Sequence, residues 1–290
     1  MRILVTGAGG QVGSEVVSEL ERRAAERRRG APWRIVAATH EHLDVTSRDS
    51  VLAAVTTIEP QVIIHSAAWT AVDDCEGDPE QAFRVNALGT RHIAEAAHLV
   101  GAHVCYLSTD YVFDGRSDRP YTEWDEPNPL SVYGRSKLGG ERELGESATV
   151  VRTAWVCGRN GPNMAKTVLR LASSERPLCF VDDQHGSPTS ASDLALKVVD
   201  LALARRRGTF HVTNQGRTTW FGFAQEVLRL AGQDPGRVMP LATAALDPPR
   251  PAPRPACSVL DNAALRLSGD ELLPPWEASL GRLVGDLLGE

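Results

Sequence analysis

Ile3-Leu4-Val5-Thr6-Gly7-Ala8-Gly9-Gly10-Gln11-Val12-Gly13, running on into Ser14-Glu15-Val16-Val17, is the stretch that decides the fold. A short apolar and β-branched run enters a turn with glycines at 7, 10 and 13, and a helical pattern begins at once. The spacing is GxxGxxG. It departs from GxGxxG, whose third glycine would fall on Val12. Glycine permits a tight turn and close approach of a diphosphate to the backbone, and a helix N-terminus favours the negative charge. A strand before the turn and a helix after it, at the head of a βαβ pattern, give the context that a dinucleotide cradle requires.

Working outward, short β-branched or apolar runs at 35–38, 62–65, 104–108 and 149–152 alternate with helix-length segments. That alternation predicts an α/β chain with a Rossmann-like, doubly wound parallel sheet covered by helices on both faces. Asp78-Pro79 followed by 80–100 reads as a long helix with proline in its first turn. After about residue 155 the rhythm loosens. Helical stretches at 163–173, 191–204 and 219–231 alternate with turn-rich segments, and 248–255 carries five prolines in eight positions. Residues 1–155 are therefore expected to form the dinucleotide-binding domain, and 156–290 a smaller, mixed α/β substrate lobe. The run 209–213 is a candidate to return to the main sheet.

Composition excludes several classes. At 290 residues with 42% hydrophobic and 23% charged, the chain is a globular protein of one large or two medium domains. A net charge of -6 argues against nucleic-acid binding. No run approaches the length of a membrane helix, and Met1-Arg2-Ile3 enters a strand directly without a signal-like segment. Five scattered cysteines without a CxxC pair suggest reduced thiols, hence a cytoplasmic setting. Of the 31 cations 28 are arginine, so Lys137, Lys166 and Lys197 stand out. The arginine patches 22–29 and 205–207 read as solvated helix ends.

The second strand ends Ala37-Ala38-Thr39-His40, without the carboxylate that would accept from a ribose 2′-hydroxyl and repel a 2′-phosphate. NADPH is the expected cofactor, with NADH also open. Tyr133-Gly134-Arg135-Ser136-Lys137 follows Pro129-Leu130-Ser131, a helix start with Ser131 as its cap. Residues four apart share a helix face, and an ammonium beside a phenol favours the phenolate, so Tyr133 and Lys137 form a tunable proton donor. Ser108 or Thr109, at the C-terminal end of a buried strand, is placed to hydrogen-bond a substrate oxygen beside Tyr133.

With Ser66-Ala67-Ala68 and Asn86 added, this set resembles an extended short-chain dehydrogenase/reductase, and within it the dTDP-4-dehydrorhamnose reductase family. The resemblance is carried by Gly10-Gln11-Val12-Gly13, Trp69-Thr70-Ala71-Val72-Asp73, Ser108-Thr109-Asp110-Tyr111-Val112-Phe113-Asp114-Gly115 and Tyr133-Gly134-Arg135-Ser136-Lys137-Leu138-Gly139-Gly140-Glu141. It continues through Arg152-Thr153-Ala154-Trp155-Val156, Asn163-Met164-Ala165-Lys166-Thr167, Asp183-Gln184-His185-Gly186-Ser187-Pro188-Thr189 and Arg254-Pro255-Ala256-Cys257-Ser258-Val259-Leu260-Asp261.

It implies reduction of the C4 ketone of a dTDP-4-keto-6-deoxy sugar by a monomer or homodimer. Gly10, Gln11 and Val12 would touch the cofactor diphosphate, Asp44 and Val45 the adenine, and Ala67, Ala68 and Trp69 the ribose and nicotinamide side. Gly7, Gly13 and Leu107 complete the cofactor set. Tyr133 would donate the proton, Lys137 would hold the nicotinamide ribose and lower the phenol, and Thr109 would tune it. Asp110, Trp155, Lys166 and Arg254 would face the sugar nucleotide. Some relatives bind magnesium through glutamates, and Glu15 fits one such position, but no full ligand set is visible and no metal is assigned. A non-catalytic NADP-binding regulatory subunit and a sugar-nucleotide epimerase are the alternatives that share these features.

Overall fold

The computed structural model describes residues 1–27, 32–174 and 177–289. Strands β1 (Arg2–Thr6), β2 (Arg34–Ala38), β3 (Val62–His65), β4 (His103–Thr109) and β5 (Thr149–Thr153) join the strand Gly208–His211 in one six-stranded sheet. Its order is Gly208–His211, β5, β4, β3, β1, β2, with every neighbour pair parallel. β3 and β4 are buried along their whole length, as a sheet covered on both faces demands. The chain leaves β1 for β2 on one side and later returns to β3 on the other. The crevice at the C-terminal end of β1 is therefore the topological switch point, where open α/β sheets bind their ligands.

Helix α1 (Gln11–Glu26) and the helix Ala191–Leu203 cover one face, burying Val16, Leu20, Leu194 and Val198 against Ile3, Val5 and Ile64. Helix α2 (Arg48–Ile58) and the helix Gly89–Val100 cover the other, around Leu4, Ile63, Val51 and Ile93. The long helix expected from 80–100 runs as Pro79–Phe83, a π-helical stretch Arg84–Leu88, and Gly89–Val100. The wider turn presents Asn86, whose amide donates to Ser136 Oγ at 2.9 Å and to the Trp69 carbonyl at 3.0 Å. π-bulges of this kind occur mostly where a side chain has a task.

Past residue 155 the chain has two destinations. Its strand Gly208–His211 and helix Ala191–Leu203 complete the main sheet and its cover. A second core gathers Val168, Phe223, Val227, Trp276 and Leu280 from the helices Met164–Ala172, Trp220–Leu230 and Trp276–Leu288. Arg22 and Arg23 are engaged with the buried Glu19, and Arg206 with Asp270. Arg27 lies over the Trp33 ring at 5.0 Å, and Arg28 and Arg29 of the same patch lie outside the described residues.

Candidate active site

The glycine turn is built by contact. Gly7 sits at φ 66, and a Cβ there would lie 2.6 Å from the Ala67 nitrogen. A Cβ on Gly13 would overlap the Gly7 carbonyl oxygen and come within 2.9 Å of Ala8 Cα, so only glycine lets α1 start this close to β1. Two adjoining cavities of about 560 and 480 Å³ share Gly9, Gly10, Ser66 and Ala68. The first also takes in Gly7, Thr39, His40, Glu41, Val45 and Ala67. The second runs over Gln11, Val12 and Gly13 to Leu107, Ser108, Thr109, Asp110, Tyr133, Lys137 and Trp155. One continuous trough thus joins a cradle that side chains would fill to the tyrosine and lysine, and it fits an extended dinucleotide. A groove of about 780 Å³ at the N-terminal ends of β4 and β5 has no part of this set.

Tyr133 and Lys137 share the buried face of the helix Val132–Glu143, whose first turn is capped by Ser131 Oγ accepting from the Gly134 nitrogen at 3.1 Å. A Cβ on Gly134 would overlap the Tyr111 carbonyl. That glycine lets the helix lie against the turn Asp110–Val112 and sets Tyr133 beside Thr109 and Asp110. Burial raises the phenol above its ordinary value, the Thr109 hydroxyl opposes the shift, and the Asp110 carboxylate adds to it. Tyr133 therefore keeps its proton at neutral pH.

Lys137 is held by the strand beside it. Its ammonium donates to the Leu107 carbonyl at 2.6 Å and lies 4.1 Å from the Tyr106 ring centroid, and burial draws it down to about 7. Burial is the largest influence on both groups.

The two strand-end hydroxyls part company, since neighbours on a strand face opposite ways. Thr109 Oγ1 lies against the phenol and donates to Asp110 at 3.1 Å. Ser108 Oγ donates to Glu141, which forms a buried ion pair with Arg152 at 2.7 Å, and Ser108 lines the trough as well. Asp110 is pushed up to about 6 by burial, against hydrogen bonds from Ser258 and Thr109.

Four expected site residues lie outside the trough lining. Asp44 accepts from the Thr46 nitrogen at 2.9 Å and its hydroxyl at 2.7 Å. Trp69 packs beside Tyr133, Cys75 and Val132, with its backbone clamped by Asn86. The Lys166 ammonium donates to the Arg159 and Gly161 carbonyls, and Arg254 is paired with Asp73. Conversely, sequence reasoning missed Glu41, which joins the lining of the first cavity three residues past β2. It also missed Thr70, Thr153 and Pro162 in the trough. Among the described residues no group of three or more His, Cys, Asp or Glu side chains is arranged to hold a metal. No described helix is long and apolar enough to cross a membrane.

A parallel sheet with a glycine cradle at its switch point, and a buried Tyr-x-x-x-Lys pair opening on the same trough, defines the extended short-chain dehydrogenase/reductase class. Within it, the family model described as RmlD substrate binding domain matches residues 1–288, and the chain belongs to that family. It is 43% identical over 99% of its length to a dTDP-4-dehydrorhamnose reductase of Streptomyces griseus, 94% of which is covered. It is 41% identical to a probable dTDP-4,6-dihydroxy-2-methyloxan-3-one 4-ketoreductase of Streptomyces antibioticus, over 99% of the chain and 96% of the relative. The crystal structure of a Bacillus anthracis dTDP-4-dehydrorhamnose reductase in complex with NADP superposes with a TM-score of 0.91, at 36% identity and 98% and 99% coverage of this chain and that one.

Proposed function

We propose that this protein is an NADPH-dependent reductase of the C4 ketone of a dTDP-4-keto-6-deoxy sugar, dTDP-4-dehydrorhamnose foremost. The observation that carries the proposal is the buried Tyr133, set with Thr109 and Lys137 in the trough that begins at the glycine cradle. Gly7, Gly10, Gln11, Val12 and Gly13 would hold the diphosphate, with Val45 and Ala67 on the adenosine side. Lys137 is placed to bind the nicotinamide ribose. When bound, the reduced nicotinamide supplies the hydride that the carbonyl carbon accepts.

Tyr133 hands its proton to the sugar oxygen as that oxygen gains the electron pair, which keeps charge from accumulating there. Thr109 orients the phenol, and Asp110 anchors Thr109 by accepting from its hydroxyl. Leu107, Ala154 and Trp155 wall the reacting end against water. Lys166 and Arg254, one step outside the lining, are proposed to meet the substrate diphosphate only after leaving their present partners. The three buried cysteines, Cys75, Cys105 and Cys157, and the free Cys179 and Cys257 suit work in a reducing cytoplasm.

Tyr133→Phe tests the assignment. The expected result is a loss of about 10²-fold or more in kcat with NADPH affinity retained, because a proton donor and not a binding contact has been removed. Activity within a few-fold of wild type would remove Tyr133 from the mechanism.

A further inference from the structure

The reacting end of the trough stops at Trp155, and the way this indole is held points to a residue that lies outside the trough lining. Trp155 follows β5 with φ 46, in the left-handed region that bulky side chains avoid unless their surroundings impose it. Its carbonyl accepts from the Thr189 nitrogen at 3.2 Å, where the short strands Val156–Cys157 and Thr189–Ser190 pair. The indole lies parallel to that of Trp220, with ring centroids 3.5 Å apart and 5° between the planes. Gly186 leaves the space it needs. A Cβ there would overlap the Trp155 ring and stand 2.6 Å from its Cζ2.

Trp220 is itself fixed by the second core. It opens the helix Trp220–Leu230, whose N-terminus is capped by Thr219 Oγ1 accepting from the Gly222 nitrogen at 3.1 Å. Its ring meets Phe223 edge-on at 5.8 Å, and Phe223 stacks on Trp276 at 6.0 Å. A column of aromatic rings therefore runs from the interior of the small lobe to the wall of the trough. Strain at Trp155 persists because Gly186 and Trp220 together leave its indole nowhere else to go.

We propose that Trp220 is a positioning residue for the sugar: by stacking on Trp155 it holds that indole as a flat wall against which the C–H face of the hexose packs. The small lobe thereby sets which sugar fits without Trp220 touching it. This rests on the reading of the trough as a sugar-nucleotide site. Trp155 itself meets the sugar, and Trp220 acts only through it.

The test compares Trp220→Ala with Trp220→Phe, an aromatic replacement that keeps a ring over Trp155. Trp220→Ala is expected to raise KM for the sugar nucleotide about fivefold to tenfold, the worth of one aromatic pair. The Kd for NADPH should stay unchanged, kcat should change less than KM, and the exciton couplet of stacked indoles should vanish from the circular dichroism spectrum. Trp220→Phe should recover most of the KM. If Trp220→Ala does not fold, Trp220→Leu, which keeps an apolar side chain in the second core, serves in its place. Loss of the couplet with KM and kcat both within twofold of wild type overturns the proposal, as does a KM rise matched by an equal rise in the Kd for NADPH. A wild-type protein that binds NADPH but turns over no sugar nucleotide overturns the functional reading instead, whatever the variants do.

Discussion

Replacing Lys137 by methionine preserves the reach of the side chain and removes its charge, and the product should be more stable at neutral pH and inactive. Lys137 is 2% exposed, and burial holds its ammonium at about 7 against an ordinary 10.5. The unfolded chain keeps the ordinary value. Between those two pH values it binds more protons than the folded chain, so stability rises with pH across the window, and below pH 7 the penalty is present in full. The gap corresponds to at most about 5 kcal/mol. Methionine forfeits the hydrogen bond to the Leu107 carbonyl and the contact with the Tyr106 ring, together worth about 2 kcal/mol. A net gain of about 2–3 kcal/mol is therefore expected at or below pH 7, shrinking with rising pH and reversing above about pH 9. Urea unfolding of both proteins across that range, without added cofactor, measures it. A Lys137→Met protein that is less stable at pH 7, or a difference that does not vary with pH, would mean that burial does not penalise the Lys137 charge.

Other substitutions probe other parts of the site. Gly13→Ala forces the start of α1 away from β1, and it should raise the Kd for NADPH by roughly tenfold or more and lower the melting temperature, for a strain of about 1–3 kcal/mol; calorimetry reads both. Asp110, pushed up to about 6, binds a proton more readily when folded, so it contributes a loss of stability as pH rises from 3.8 through about 6 and a loss of activity as pH falls below 6, where it no longer accepts from Thr109 and Ser258. Asp110→Asn should flatten both, which pH profiles of kcat/KM and of urea midpoints would show. Glu41→Gln should tighten NADPH about twofold to fivefold and leave NADH nearly unaffected, since an exposed carboxylate repels a 2′-phosphate weakly; fluorescence titration of the two cofactors settles it.

The sequence showed the parts of this site that are local. Gly7, Gly10 and Gly13 report close backbone approach wherever they occur between a strand and a helix, and Tyr133 with Lys137 can share a face only on a helix. The rest depends on contacts across the chain. Ser108 and Thr109 are adjacent and chemically alike, and only the strand's register sends one to Glu141 and Arg152 and the other to Tyr133. Asn86 owes its reach to a π-helical turn that no spacing signals. Glu41 enters the lining of the first cavity because the chain turns sharply after Thr39, with the His42 and Leu43 nitrogens returning to the Thr39 carbonyl. Trp220 meets Trp155 from the second core. The lysines also divide by geometry: Lys137 lies buried on the trough, whereas Lys166 is spent on two loop carbonyls.

In the proposed reaction reducing power passes from NADPH to C4 of the sugar, with Tyr133 supplying the proton. Wild-type protein given NADPH deuterated at the transferable position and dTDP-4-dehydrorhamnose should consume one cofactor per sugar and place the deuterium on C4 of the product, as read by NMR. A protein that binds both compounds but returns the cofactor unoxidised, or whose product carries no deuterium at C4, would contradict the account.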